Sequence, residues 1–430
     1  MTIDRSVYLN RLIEAKHNGK VKTLTGMRGS GKTFLLFEIF YQHLKAEGID
    51  DAHIISVNLE DDSNDKYRLP SVLNEYICGR INNDNERYYV LIDEIQYMIT
   101  PKERKHLEAP VAVYNMLSGL ISRNNVDVYV TSSNSKFVST EVPAEFSGMG
   151  QFFHIAPLSF SEFLNFKGGD VKDVWNEYLR FGGLPRVVTE SDENVKKQYM
   201  KDLKAEIFVK DINIPYGIIN DAGMDDLLHS VGMYIGILTN AQRIANEYAA
   251  RENKGITTPT VREYLRFLRE AFIIERAERF DIKGKKYIHT PSKFYYTDLG
   301  MRNALFDYPE TNSTFMMENV IYHELLYRGF SVDAGAVEIH PTEDGKRLRK
   351  HLEVDFVANM GDARYYVQTA AHVSDKATMD KVQSALVKIT HTTFKKMIII
   401  EEPTNVYKND KGITIMNFFD FLLDWQSLDK

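Results

Sequence analysis

The stretch Gly26-Met-Arg-Gly-Ser-Gly-Lys-Thr33 constrains this chain more than any other. It fits G-x-x-x-x-G-K-[ST] in full, and the pattern carries meaning only between a strand and a helix. Both neighbours are of the right kind. Val21-Lys-Thr-Leu-Thr25 alternates and carries β-branched side chains, as a short strand does. Phe34-Leu-Leu-Phe-Glu-Ile-Phe40 is largely apolar, its pattern runs on to Leu44, and its length favours a buried helix. Glycines 26, 29 and 31 let the backbone curl with its N–H groups inward, and the following helix adds the positive end of its dipole. The chemistry expected is a phosphate cradle. Gly26, Met27, Arg28, Gly29, Ser30, Gly31, Lys32, Thr33 and Phe34 are expected to surround the phosphates of ATP. In this reading Lys32 reaches the β- and γ-phosphates and the Thr33 hydroxyl holds Mg²⁺.

Asp93 lies 61 residues after Lys32 and ends the run Tyr88-Tyr-Val-Leu-Ile-Asp-Glu94. A strand apolar on both faces belongs at the centre of a parallel sheet. After a P-loop, two acids at the end of such a strand suit metal binding by Asp93 and activation of the attacking water by Glu94. A further strand, Val126-Asp-Val-Tyr-Val-Thr131, leads into Ser132-Ser-Asn134. A polar residue ending a strand between the other two touches the γ-phosphate and the water. Asn134 is the first candidate, with Thr131 or Ser133 next; a plain polar turn is the structural alternative.

Gly26–Thr33, Leu91-Ile-Asp-Glu-Ile-Gln96, Thr131-Ser-Ser-Asn134, Pro157-Leu-Ser-Phe-Ser-Glu-Phe163 and Gly182-Gly-Leu-Pro185 occur here in that order. In this the chain resembles a group of prokaryotic AAA-type ATPases that carry a C-terminal domain of unknown function with a nuclease-like fold. The resemblance extends over nearly the whole sequence. It departs from the group at two places. Ser132 stands where the group has Gly, and Met149, in Phe146-Ser-Gly-Met-Gly150, stands where it has Arg. An arginine donated to a γ-phosphate is worth several powers of ten in rate. Its loss implies either slow turnover, partly offset by Arg28, or a family arginine that is only structural.

Helical patterning runs from Asp173 to about Asn220, broken at Phe181-Gly-Gly-Leu-Pro185. The resemblance implies a lid turn that brings Pro185 near the adenine and Arg186 towards the phosphates; Gly-Gly and Pro also break a helix unaided. Residues 236–300 read as a winged helix. Ile237–Ala250 is helical, a turn falls at Glu252-Asn-Lys-Gly255, and Thr258 and Pro259 open the next helix. Val261, Leu265, Leu268 and Phe272 share one face of that helix. Strands at Phe272–Phe280 and Lys286–His289 flank a basic tip. Arg262, Arg266, Lys283, Lys285 and Lys286 are candidate nucleic-acid contacts, against a packing module with a solvated charged face.

In the last part, strands at Ser331–Ala334, Ala336–His340, Leu352–Ala358, Arg364–Ala370 and Lys396–Glu401 and helices at Glu318–Tyr327 and Met379–Ile389 resemble the restriction-endonuclease fold. Asp355 matches its first acid. Gln368 replaces the second acid and Ala370 the lysine, so the resemblance implies a catalytically degenerate domain. Glu318 or Glu324 with Glu353 and Asp355 is the remaining option for a metal.

The expected architecture is α/β: an AAA-type P-loop core over 1–165, a helical lid over 166–235, a winged helix over 236–305 and a nuclease-like domain over 306–430. No apolar run reaches membrane-spanning length, and the start lacks the pattern of a secretory signal, which together suggest a cytoplasmic protein without a membrane partner. One cysteine, Cys78, excludes an internal disulfide. A net charge of −7 argues against a generally basic coat but leaves a local basic face open. The expected activity is ATP hydrolysis with Mg²⁺, used to switch or remodel a DNA or protein partner, with oligomerisation open. The alternatives are a non-hydrolysing ATP-binding module and an ATP-gated nuclease.

Overall fold

Short apolar strands separated by helical crossovers can bury both faces only in a parallel sheet, and five such strands build the first half of the molecule. They are β1 (Val21–Thr25), β2 (Ile54–Asn58), β3 (Tyr88–Asp93), β4 (Val126–Ser132) and β5 (Gly150–His154). The computed structural model describes residues 3–82, 86–100, 103, 110–135, 148–218, 222–252, 256–308, 313–343, 346–373, 375–390 and 393–429. Phe146, Ser147 and the turn at 253–255 lie outside them.

The described residues pack as two units. The first comprises Met1–Leu158, Leu184–Asp221 and Arg266–Ile273; the second comprises Ser159–Gly183, Ala222–Leu265 and Ile274–Lys430. The boundaries expected at 165, 235 and 305 do not coincide with this division.

In the first unit the sheet order is β2-β3-β4-β1-β5, all parallel. The register pairs Thr25 with Ser132 and Asn58 with Asp93. The carboxyl ends of β1, β4 and β3 therefore lie side by side, which is where open α/β sheets bind ligands. Val90, Ile92, Val128 and Val130 are fully buried in a core that also takes Leu73, Ile77, Leu117 and Leu120 from helices Pro70–Arg80 and Val111–Ile121. Met149 packs, partly buried, against this same core. Strands β2 and β5, which the sequence reading did not single out, complete the sheet.

The second unit is built on an eight-stranded mixed sheet. Its strands are β6 (Ile274–Asp281), β7 (Lys286–Tyr296), β8 (Ser331–Ile339), β11 (Lys350–Met360), β12 (Ala363–Ala370), β13 (Lys395–Ile400), β14 (Tyr407–Lys408) and β15 (Thr414–Asn417). The short pair β9 (Thr342–Glu343) and β10 (Lys346–Arg347) stands apart from it. The order is β14-β15-β13-β12-β11-β8-β6-β7. The hairpin β6–β7 is thus part of the C-terminal sheet, through parallel pairing of β6 with β8. A boundary at 305 would cut this sheet.

Several local expectations shift. The helix expected from Ile237 begins at Ala241, because Thr239 exchanges main-chain hydrogen bonds with Ser292. The next helix, Thr258–Glu270, is capped by Thr257 rather than Thr258: the Thr257 hydroxyl accepts from the Thr260 amide. Phe272 takes a positive φ and delays β6 to Ile274. Ser331–Ile339 is one strand, not two.

Candidate functional site

The site forms at the carboxyl ends of β1, β3 and β4. Gly26, Gly29 and Gly31 all have positive φ, which lets the loop after β1 fold around its own amides. A side chain at Gly26 would place its Cβ 2.3 Å from the Ile155 carbonyl oxygen, so the backbone crowds that position. Helix begins at Lys32 and runs through a π-helical turn, Leu35–Phe40, to Tyr41–Ala46. The Lys32 ammonium folds back over the loop and donates to the carbonyls of Gly26 (2.9 Å) and Met27 (3.1 Å). Burial pushes its pKa down, with Glu94 and Asp93 opposing.

Asp93 closes β3 and reaches across to the loop. The Thr33 hydroxyl lies 3.0 Å from both of its carboxylate oxygens, and Thr131 Oγ1 donates to Oδ1 at 2.6 Å. Burial and the charge of Glu94 push the Asp93 carboxyl up to about 6. Glu94 itself is held in the left-handed region (φ 55°), a costly conformation for a non-glycine residue that surrounding contacts must enforce. Its amide donates to Thr131 Oγ1 at 2.9 Å. Its Oε2 accepts from Gln96 Nε2, from Ser133 Oγ at 2.9 Å and from the Ser133 amide at 3.3 Å. Its Oε1 stands 4.0 Å from the Lys32 ammonium.

A triphosphate with its metal fits this donor set. Ser30 Oγ is fully buried without a hydrogen-bond partner, in a loop whose glycines 26, 29 and 31 take positive φ. A hydroxyl and a carboxylate, Thr33 and Asp93, converge as two hard oxygen donors, the ligand type Mg²⁺ takes from protein. A cleft of about 360 Å³ flanks the loop and is lined by Arg5, Gly31, Phe34, Ile39, Pro185 and Arg186 among others. Pro185 starts the helix Pro185–Thr189, and a Cβ on Gly31 would meet its ring at 3.3 Å.

Several sequence expectations are redistributed. Ser133, which follows β4, donates to Glu94 through both its hydroxyl and its amide. Asn134 lines a narrow cleft with Lys210, Pro215 and Tyr216. Arg28 is turned away from the loop. Its Nε and Nη2 bind both oxygens of Asp211 (2.9 and 3.1 Å), and Nη1 lies 2.8 Å from Glu60. Asp211 was not anticipated. It sits in a π-helical turn, Phe208–Asn213, that follows the helix Glu193–Ile207, and nothing in the local pattern marks it.

Of the candidate nucleic-acid contacts, Arg262, Lys283, Lys285 and Lys286 are exposed. Arg266 is partly buried, paired with Glu270 at 2.9 Å and stacked over Phe267. In the second unit a β-bulge between Val354 and Val357 sets the position of Asp355. Asp355 Oδ2 accepts from Gln368 Nε2, the Thr369 amide and the Thr369 hydroxyl, at 2.7–2.9 Å. The buried Lys293 of β7 lies 2.6 Å from Glu353, 2.8 Å from Glu318 and 3.4 Å from Asp355. Glu324 is committed to Arg328 at 2.7 Å. Among the described residues no group of three His, Cys, Asp or Glu side chains is arranged to hold a metal, and no helix is long and apolar enough to cross a membrane.

Comparison with known proteins agrees with this geometry. Residues 18–164 match the family model described as AAA domain, and residues 172–312 match one described as a domain of unknown function, DUF8612. The N-terminal part of the chain is an AAA-type P-loop ATPase domain, an α/β fold on a parallel sheet. Over 426 residues the chain is 29% identical to an uncharacterized protein of Haemophilus influenzae, covering 98% of each. It is 27% identical to the uncharacterized protein MJ1544 of Methanocaldococcus jannaschii, covering 85% of this chain and 78% of that one. Among solved structures it is similar to the Walker-type ATPase PABY2304 of Pyrococcus abyssi, with 13% identity, 71% of this chain and 96% of that chain covered, and a TM-score of 0.47.

Proposed function

We propose that this protein binds Mg·ATP in the loop Gly26–Thr33 and hydrolyses it, using the cycle to switch a partner. One observation carries the reading: Lys32, Thr33, Asp93 and Glu94, from two separate chain segments, converge at the carboxyl end of one parallel sheet. The loop amides and Lys32 bind the phosphates. Thr33 and Asp93 would hold Mg²⁺, which supplies charge neutralisation at the phosphate oxygens. Glu94 orients the attacking water and takes its proton, with Thr131 and Ser133 fixing the two acids. The cleft beside Pro185 accepts the base. Met149 contributes no cation, and exposed Arg186 on that cleft is an arginine available to the phosphates.

Steady-state phosphate release and nucleotide binding test this. Lys32→Ala removes measurable ATP affinity. Glu94→Gln keeps affinity and lowers turnover by about a hundredfold or more, the usual contribution of a general base. Undiminished affinity without Lys32, or unchanged turnover without the Glu94 carboxylate, overturns the proposal.

The helices between Val171 and Tyr216 support a lid reading. Helices Ala241–Glu252 and Thr258–Glu270 followed by the hairpin β6–β7 support a winged helix, and its exposed basic tip favours nucleic acid as the partner. Salt-dependent DNA binding that is unaffected by Lys285→Ala with Lys286→Ala would sink that assignment. The part expected over 306–430 reads as a nuclease-like domain without activity, supported by the saturated Asp355 and its neutralisation by Lys293 of β7. Plasmid cleavage with Mg²⁺ that disappears in Asp355→Ala would overturn the inactive reading.

A further inference from the structure

The Ser133 hydroxyl has one proton and two carboxylates within reach. Its Oγ is 2.9 Å from Glu94 Oε2 and 2.9 Å from Asp211 Oδ1. The Gln96 amide already donates to Oγ at 2.9 Å, so the hydroxyl proton alone decides which acid Ser133 serves. Asp211 is held in both oxygens by Arg28, a residue of the P-loop itself. All of these groups are buried: Ser133 is fully enclosed, Asp211 is 3% exposed and Glu94 4%. The Asp211 turn belongs to the helical segment after Glu193, which is not part of the sheet.

We propose that Asp211 is a positioning residue for Glu94, acting through Ser133, so that the P-loop and the helical segment together set the availability of the glutamate. The inference rests on the proposed hydrolytic role of Glu94. While Arg28 neutralises Asp211, the hydroxyl proton goes to the less compensated carboxylate, Glu94, and holds it in line. When Arg28 is drawn elsewhere, Asp211 becomes the less compensated acid and takes the hydroxyl proton, and Glu94 keeps only the donors from Gln96 and the Ser133 amide. This gives the helical segment a route to the chemistry without touching the nucleotide. The arrangement also accounts for the position of Arg28, which lies in the phosphate loop yet spends its guanidinium on acids outside it.

The test is a double-mutant cycle on ATP turnover with the full chain. Arg28→Leu, which leaves Asp211 uncompensated, is expected to lower kcat about tenfold or more, the scale of effect from misplacing a catalytic group. Adding Asp211→Ala removes the competing acid and is expected to restore turnover, and in the Glu94→Gln background Arg28→Leu is expected to lower kcat no further. Ser133→Ala, which removes only the hydroxyl, is expected to lower kcat as Arg28→Leu does and to gain nothing from Asp211→Ala, with Ser133→Thr restoring turnover. Unchanged kcat in Arg28→Leu, no recovery on adding Asp211→Ala, or an equal loss with and without the Glu94 carboxylate overturns the inference. If Glu94→Gln alone leaves turnover intact, the hydrolysis reading has failed instead, and the inference falls with it.

Discussion

Lys22 lies in the middle of β1 and is fully buried, and its partner Asp127 on β4 is 4% exposed. The ammonium donates to Asp127 Oδ1, while Oδ2 accepts from the Tyr129 hydroxyl (3.0 Å) and the His17 amide (3.1 Å). Burial pushes the Lys22 pKa down and Asp127 opposes this. Breaking such a pair strands the other charge, at about 3–5 kcal/mol. Lys22→Met leaves Asp127 with its two neutral donors, so the loss should fall at the low end, about 3 kcal/mol. Asp127→Leu leaves the ammonium with nothing to donate to. Its cost is capped near 5 kcal/mol, because giving up the proton at pH 7 costs about that much. The double variant, Lys22→Met with Asp127→Leu, retains only the loss of an acceptor for Tyr129 and His17, about 1–2 kcal/mol. The singles should therefore sum to about 8 kcal/mol against about 2 for the double, a strong positive coupling. Amide hydrogen exchange of peptides covering β1 and β4 reads the opening free energy of this sheet without assuming that both units unfold together. Additive losses, or a Lys22→Met variant within 1 kcal/mol of the parent, would refute the reasoning.

Magnesium-dependent nucleotide affinity should fall as pH drops through about 6, because the Asp93 carboxyl titrates there and its protonated form is a poor ligand; below that point the loss approaches tenfold per pH unit, and calorimetric titration at pH 5, 6 and 7 reads it. Arg328→Met strands the buried Glu324 and frees the acceptors at the Phe421 carbonyl and Ser427 Oγ, so it should cost about 3–5 kcal/mol and lower the thermal midpoint in calorimetry. Gly182→Ala forces a Cβ to 2.3 Å from Asp298 Oδ1 at a φ of 73° and displaces the carboxylate that accepts from the Gly183 and Met301 amides. Strain and lost capping together predict about 2–4 kcal/mol, read by chemical denaturation; a loss below 1 kcal/mol would show that the turn relaxes freely.

The sequence determined the phosphate loop, its flanking strand and helix, and the central acidic strand, because each is a local pattern. A positive-φ glycine, an apolar run with no polar face and a pair of terminal acids are readable without knowing what lies across the sheet. Lys32, Thr33, Asp93 and Glu94 were legible for that reason, and Met149 could be seen to lack a cation. What only the tertiary structure decided are pairings between distant segments. Arg28 meets Asp211 across 183 residues and Lys22 meets Asp127 across 105. The hydroxyl and amide of Ser133 meet Glu94 across 39 residues. The hairpin β6–β7 joined a sheet formed by strands that follow it in the chain, and Lys293 came with it to the acids around Asp355. A charged or polar side chain carries no local sign of its partner. Its place is fixed when burial in a low-dielectric interior makes an unpaired charge too costly to tolerate.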